Sequence, residues 1–267
     1  MLSMTVYRID PKTMLLMYPE TVAPQPDGEF IVPGNCVQLA PPDCDGLDRP
    51  RWDSDVPVVH ARFGFIDTGS WSVVKDFRRT KLYLTSDGSE YTLDQEIDEQ
   101  TYTGIGDLPA WLTTDPRPSP YHHYADGAWV LDEAEELTAV KQQQTLRLAM
   151  ACQNQIYAGF TSAALGAVHQ YPAQDKDQQN LTASVLDSTV PGLPTDWTTP
   201  FWCADVVGDW DFRLHTAEQI QQVGREGKLR ILACMAHNKE LATQVLNATD
   251  KAAALAVVWT DPDDGQV

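Results

Sequence analysis

Six histidines, five cysteines and a cluster of aspartates are the residues of this chain that could ligate a metal or carry a proton. His122 and His123 are adjacent, and neighbours on a strand point to opposite faces, so the pair is badly placed to share one ion. It reads as structural. Asp43-Cys44-Asp45-Gly46-Leu47-Asp48 has the acidic spacing of a calcium loop, but its glycine comes two positions early and no bidentate glutamate closes it. A surface turn is expected there. His60, His169, His215 and His237 stand in no Asp/Ser or Asp/Cys arrangement at a recognisable motif spacing. Of the cysteines, Cys36 and Cys44 are near each other without a second pair to complete a zinc site, and Cys152, Cys203 and Cys234 are scattered. Reduced thiols in a core are expected. The chain has no Gly-x-Ser-x-Gly, no phosphate-cradling glycine loop and no dinucleotide fingerprint. No catalytic site, cofactor or metal is therefore expected. Hydrolysis of a cell-surface polysaccharide would need a carboxylate pair in a cleft, which the scattered Asp and Glu neither mark nor exclude.

The aromatic residues say more. Eight tryptophans are many for 267 residues, and tryptophan is rarely fully buried and is favoured at protein interfaces. Trp71, Tyr83, Trp111, Trp129, Trp202 and Trp210 are the candidate binding residues, as interface or as core aromatics. Four of them sit in a run of short apolar segments broken by tight turns. Trp71-Ser-Val-Val-Lys-Asp-Phe-Arg-Arg is followed by Leu82-Tyr83-Leu84 before Asp87-Gly88, then by Asp107-Leu-Pro-Ala-Trp111 and Tyr124-Ala-Asp126-Gly127-Ala-Trp129-Val130. An Asp-Gly pair between such runs is a strong hairpin signal. Trp71 and Trp129 are expected to stack across this meander, as cross-strand aromatics do.

The elements that must position these residues change character near residue 131. Residues 1 to about 60 are rich in proline and extended, with strands expected at Val6–Ile9, Met14–Tyr18 and Phe30–Val32, and the meander runs from about 58 to 130. Asp132 then reads as the N-cap of a long helix, with Glu133, Glu135 and Glu136 in its first turn. Leu137, Val140, Gln144, Leu148, Cys152 and Ile156 form its apolar stripe, and Gly159 ends it. A shorter helix is expected around Lys176–Leu186, and a hairpin about Gly208-Asp209. Thr216 and Gln219 form a capping box that opens a further helix, in which Gly224 and Gly227 permit a bend. A last helical segment is expected over Lys251–Trp259, followed by a polar tail, Asp261-Pro-Asp-Asp-Gly, that frays. The fold class is thus α+β, with a β-rich region over 1–130 and a helix-dominated domain over 131–267.

Hydrophobic content of 43% and charged content of 21% are those of a globular chain. The net charge of -19 would repel phosphate backbones and anionic lipid, which argues against nucleic-acid or membrane-surface partners. It is evenly spread: residues 1–131 carry 10 Lys+Arg against 20 Asp+Glu, and residues 132–267 carry 9 against 18. Met1-Leu-Ser-Met-Thr-Val-Tyr-Arg lacks the order of a secretory signal, and no window approaches the apolar length of a membrane helix. A cytoplasmic chain is expected.

Several motifs have a familiar order. They are Phe30-Ile-Val-Pro-Gly-Asn-Cys36, Ala40-Pro-Pro, Trp71-x-x-Val74-x-Asp76-x-Arg78 with Tyr83 and Asp87-Gly88, Gly106-Asp-Leu-Pro109 with Thr113 and Pro116, and Asp126-Gly-Ala-Trp129-Val130. On these residues the region 5–130 resembles tail-fibre assembly proteins of tailed bacteriophages. That family usually has Asp-His-Arg-Gly where this chain has Asp76-Phe77-Arg78-Arg79. Through Ala158-Gly-Phe-Thr-Ser-x-Ala-Leu-Gly166, Tyr171-Pro172, Asp177-Gln-x-Asn-Leu181, Trp202 and Leu214-x-Thr216, residues 132–259 resemble a helical domain of unassigned function at the C-terminus of phage tail proteins. The resemblance implies a chaperone that helps a trimeric tail-fibre protein assemble in the host cytoplasm, or a fibre-associated protein of the virion tail. The alternative is a permanent tail or baseplate subunit, part of the receptor-binding tip, with other tail subunits as partners.

Overall fold

Short strands joined by turns of fixed hand make up the first half of the chain, and long helices the second. The computed structural model describes residues 3–55 and 69–262. His60, the opening of the meander near residue 58, and residues 263–265 of the tail lie outside the described residues. The architecture is α+β, and the chain divides into two compact units, residues 1–131 and 132–267. No helix among the described residues is long and apolar enough to cross a membrane.

Among the described residues the first unit holds four small antiparallel sheets. One has the order β2 (Leu16–Val22), β1 (Met4–Ile9), β3 (Cys36–Val37). The second strand begins at Leu16 and not Met14, because Met14 adopts φ 60° in the turn closed by the Asp10–Leu15 backbone bond. The third strand is not Phe30–Val32 as the sequence suggests. Phe30 makes one bridge to Pro24, and Val32 packs with Val6 and Cys36 by its side chain alone. Pro33 follows it and has no N–H to continue a ladder.

The second sheet pairs β4 (Asp48–Asp53) with β5 (Ser70–Lys75), the third has the order β7 (Glu90–Tyr91), β6 (Leu82–Leu84), β8 (Leu112–Thr113), and the fourth pairs β9 (His122–Ala125) with β10 (Ala128–Leu131). Asp126 and Gly127 take φ 51° and 83° between β9 and β10, the two positive values that a type I′ hairpin requires. The expected Trp71–Trp129 stack does not form. Register decides this, since each tryptophan has an aromatic directly opposite on its own hairpin: Trp71 faces Trp52, and Trp129 faces Tyr124. Both pairs meet edge-on with centroids 5.2 Å apart, a favoured aromatic geometry.

In the second unit, α1 (Glu133–Tyr157), α2 (Asp175–Asp187), α3 (Ala217–Asn247) and α4 (Lys251–Ala256) accompany one antiparallel sheet. Its order is β11 (Phe160–Ser162), β12 (His169–Tyr171), β13 (Thr198–Ala204), β14 (Trp210–Thr216). The sequence offers residues 160–172 as one short extended piece and 201–214 as a hairpin; the structure folds the piece into two strands and joins it to the hairpin. Asp132 caps α1 by accepting from the Glu135 N–H, and Thr216 and Gln219 close the capping box of α3. Phe160, Tyr171, Phe201, Cys203, Ile220 and Val223 form the core beneath the sheet. A second cluster joins Leu148 of α1 to Leu241 and Val245 of α3.

Helix α3 runs unbroken through Gly224 and Gly227, so these glycines do not serve a bend. They serve close approach. A Cβ on Gly227 would lie 2.7 Å from Cζ of Phe160, and one on Gly224 2.6 Å from a methyl of Val185. The first two residues of the tail are also held. Asp261 pairs with Arg230 and accepts from Gln155, and the Pro262 carbonyl accepts from Arg230. Gln144, in the middle of the α1 stripe, donates 2.6 Å to the Val257 carbonyl, which is why a polar residue is buried there. The last helix stops at Ala256, short of Trp259, because the chain turns extended at Val257.

These contacts set a test. Gly227→Ala should gain up to about 1 kcal/mol of helix propensity, yet the clash with the buried Phe160 ring should cost about 1–3 kcal/mol. Urea denaturation should show net destabilisation of the second unit; a stabilised variant would mean that the ring gives way freely.

Candidate functional site

Residues alternate between the two faces of a strand; β13 carries apolar residues on both, while β14 turns Asp211, Arg213 and His215 to one face and its large apolar residues to the other. On one face Phe201, Cys203 and His215 are buried in the core. On the other, registered pairs bring Pro200 opposite Leu214, Trp202 opposite Phe212 and Ala204 opposite Trp210. Trp202 stacks on Trp210 with centroids 6.2 Å apart and meets Phe212 edge-on at 5.0 Å. This outer face is open: Phe212 is 64% exposed, Leu214 63%, and the two tryptophans about 40% each. At the hairpin tip Val206 and Val207 are more exposed still, at 77% and 84%. An antiparallel sheet with one wet face normally alternates apolar and polar residues. A contiguous exposed aromatic face is instead the mark of an interaction surface.

The tip is held rigid by charge. The Asp205 carboxylate accepts from the Val207 and Asp209 N–H groups at 3.0 and 3.1 Å and pairs with Arg213 at 3.2 Å. The backbone bond from Asp209, with that from Val207 and the charge of Arg213, holds its carboxyl below the ordinary carboxylate range. Arg213 also donates to the Asp209 carbonyl at 3.0 Å. A surface fixed in this way loses little entropy on binding. Strand β14 is also a sheet edge.

Beneath the aromatic face three titratable groups, His215, Tyr171 and Cys203, lie buried together. His215 is fully buried, with Nδ1 2.8 Å from the Arg213 carbonyl and Nε2 2.9 Å from the Tyr171 hydroxyl. A carbonyl can only accept, so Nδ1 carries the proton and the tyrosine donates to Nε2. Burial pushes the His215 pKa down and the Tyr171 phenol up. The Cys203 thiol is likewise raised by burial. All three groups are held neutral in the interior, an arrangement that suits packing.

The six candidate aromatics fall into two sets. Trp202 and Trp210 share the outer face just described. The four of the first unit are tied into local structure. Trp71 donates its indole N–H to the Leu39 carbonyl at 2.9 Å, and Trp129 donates to the Asp115 carbonyl at 2.8 Å with Arg117 over its ring. Trp111 packs edge-on against the buried Tyr91 at 5.1 Å, and Tyr83 is half-buried in the middle strand of its sheet. Phe77, where the resembled family has histidine, is buried against Tyr102. The Asp76–Arg78 pair around it stays intact, and its hydrogen bonds hold the Asp76 carboxyl below the ordinary range. Sequence reasoning missed Phe212, Leu214, Val206 and Val207. The signal available was the run Trp210-x-Phe212-x-Leu214, three large apolar residues at a period of two.

The residues that imitate metal sites are dispersed. His122 shares a hydrogen bond with Ser119 while His123 points into solvent, and Asp48 pairs with Lys75 at 2.7 Å. Among the described residues no three His, Cys, Asp or Glu side chains come together as metal ligands, and none of the five cysteines is in a disulfide.

Residues 139–261, most of the second unit, match the family model of a domain of unknown function, DUF4376. No curated protein and no solved structure matches the chain.

The buried histidine makes stability depend on pH. Its folded pKa lies below the ordinary 6.5, so the unfolded chain binds the extra proton first and stability falls as pH drops through that value. The melting temperature of the second unit should therefore decline from pH 7.5 to pH 5.5. In His215→Gln this decline should flatten over the same range. An equal decline in both would place the dependence elsewhere.

Proposed function

We propose that this chain works by association, as a tail-fibre assembly chaperone or fibre-associated tail protein of a tailed bacteriophage, and that the outer face of the β13–β14 hairpin is its contact surface. The exposed run Trp202, Trp210, Phe212 and Leu214 carries the reading, together with the resemblance of residues 5–130 to fibre assembly proteins. A folding trimeric fibre exposes apolar surface and unpaired strand edges, both prone to aggregation. An aromatic face beside a free sheet edge offers a match to each, through anchor residues and through strand addition. The net charge of -19 would keep such a complex soluble. The half-buried aromatics of the first unit then support their own sheets, and the contact falls on the second unit.

Co-expression with the fibre encoded beside it should raise the yield of soluble trimer. Trp202→Ser with Phe212→Ser removes two anchors, each worth ~2 kcal/mol or more at an interface centre, so affinity for the fibre should fall by about a thousandfold where the two losses add. Circular dichroism should stay unchanged, because both side chains lie outside the core. Single alanine substitutions at His122, His123, Asp43, Asp45 and Asp48 should leave the gain intact. A fibre that trimerises equally well alone would end the chaperone reading. Stoichiometric copies in purified virions would favour the permanent subunit instead.

A further inference from the structure

The second unit carries another opening, away from the aromatic face. Helices α2 and α3 flank a groove of about 550 Å³ whose floor is the ring of Phe160, with Ala173 closing one end. Phe160, Ala173 and Leu181 are buried, while Val185, Ile231 and Leu232 line the upper walls. This size lies within the usual range for small-molecule sites, which are mostly apolar with a few convergent polar groups. The two glutamines of the lining are already engaged, since Gln178 donates to the Ala173 carbonyl and Gln221 to Ser188.

Two groups of the lining remain, and both are cations. Arg225 and Lys228 lie three residues apart on α3, on the same side of the helix. Several cations of this acidic chain are matched to carboxylates: Arg8 with Glu20, Arg78 with Asp76, Arg213 with Asp205, Lys251 with Glu136. Arg225 and Lys228 are exposed and make no ion pair or side-chain hydrogen bond among the described residues. An apolar trough with two open positive charges at its lip is complementary to a molecule with one apolar tail and one anionic head.

We infer that the α2–α3 groove binds a single-chain anionic amphiphile, with the tail over Phe160 between Leu181 and Ile231 and a carboxylate or phosphate head between Arg225 and Lys228. The head gains charge-assisted hydrogen bonds at a half-open site, and the guanidinium can hold it through two parallel donors. The tail displaces water from surface that the fold leaves apolar. This site stands apart from the fibre-binding reading, and either can fail without the other.

Titration calorimetry of the whole chain with sodium dodecanoate, below its aggregation concentration, tests the inference. One molecule should bind, and decanoate should bind more weakly by about fourfold per methylene lost. Dodecanol should bind at least ~tenfold more weakly than dodecanoate, the loss expected for charge-assisted hydrogen bonds. Arg225→Gln with Lys228→Gln should bring dodecanoate down to the level of the alcohol. Thr182→Trp, on the exposed wall of α2, should block both ligands while leaving the thermal melt unchanged. Trp202→Ser with Phe212→Ser should have no effect. Equal affinity for acid and alcohol, unaltered binding to Thr182→Trp, or loss in the aromatic-face variant would each overturn the inference. So would a groove that takes an acidic amphipathic peptide and no dodecanoate.

Discussion

Tyr171 and His215 meet at 2.9 Å in the interior of the second unit, and the geometry of its sheet depends on that contact. Tyr171 belongs to a short strand at the middle of the sheet, and His215 to the edge strand, so the bond spans β13 without involving its backbone. The Tyr171 ring stacks on Phe160 at 5.6 Å and on Phe201 at 6.3 Å, making a column of three aromatics under the sheet. Polar atoms at this depth are tolerable only when paired. The pairing fixes which side of the hairpin faces inward. A one-residue slip of β14 would bury Phe212 and Leu214 and expose His215. The aromatic outer face is thus a consequence of inner register, and it persists although its residues would be favoured in a core.

Much of this architecture can be read from local chemistry. Asp132 and the Thr216–Gln219 box mark helix starts because orphan N–H groups need acceptors, and the structure supplies those bonds. Asp126-Gly127 marks a turn because few residue pairs tolerate two positive φ values. What the sequence concealed is tertiary. Val32 sits in a strand-like run, but side-chain burial holds it, not a ladder. Trp71 finds Trp52 and not Trp129, since register and not mutual likeness chooses partners. Gly224 and Gly227 look like helix weaknesses until the Val185 methyl and the Phe160 ring are placed against them. For the binding face, the sequence marks Trp202 and Trp210 by type alone. Which side of each strand lies open is decided by Tyr171 and the column below it, from another part of the chain.

Charge organises the surface in a second way. Cations are scarce in this chain, and several of those described are drawn into pairs that fasten structure: Arg8 to Glu20 across β1 and β2, Arg230 to Asp261, Arg213 to the hairpin tip. Exposed pairs of this kind contribute little stability on their own. Their role here is positional, since each closes a segment that lacks a large core. Arg117 shows the same use without an anion. It donates to the carbonyls of Asp87, Pro120 and His122 and lies over Trp129, which fastens the proline-rich lead-in to the last hairpin of the first unit. Arg225 and Lys228 make no such pair among the described residues, and they differ from other unpaired cations in that both line the groove between α2 and α3.

The groove and the aromatic face share one core, and that raises the question of coupling. Phe160 floors the groove and stacks on Tyr171, which stacks on Phe201, the immediate neighbour of Trp202. Spatial intermediacy of this sort does not itself transmit a signal; a coupled pair of sites needs an element with two arrangements that both ligands bias. The column offers no such element. Tyr171 is fully buried and bonded to His215, the Phe160 ring packs close against Gly227 of α3, and Phe201 is buried in β13 between two neighbouring strands. A ligand in the groove meets one packed state and can select no other. The two proposed sites are each set by surface the fold leaves uncovered, and the packed column between them supplies no switch that would couple them.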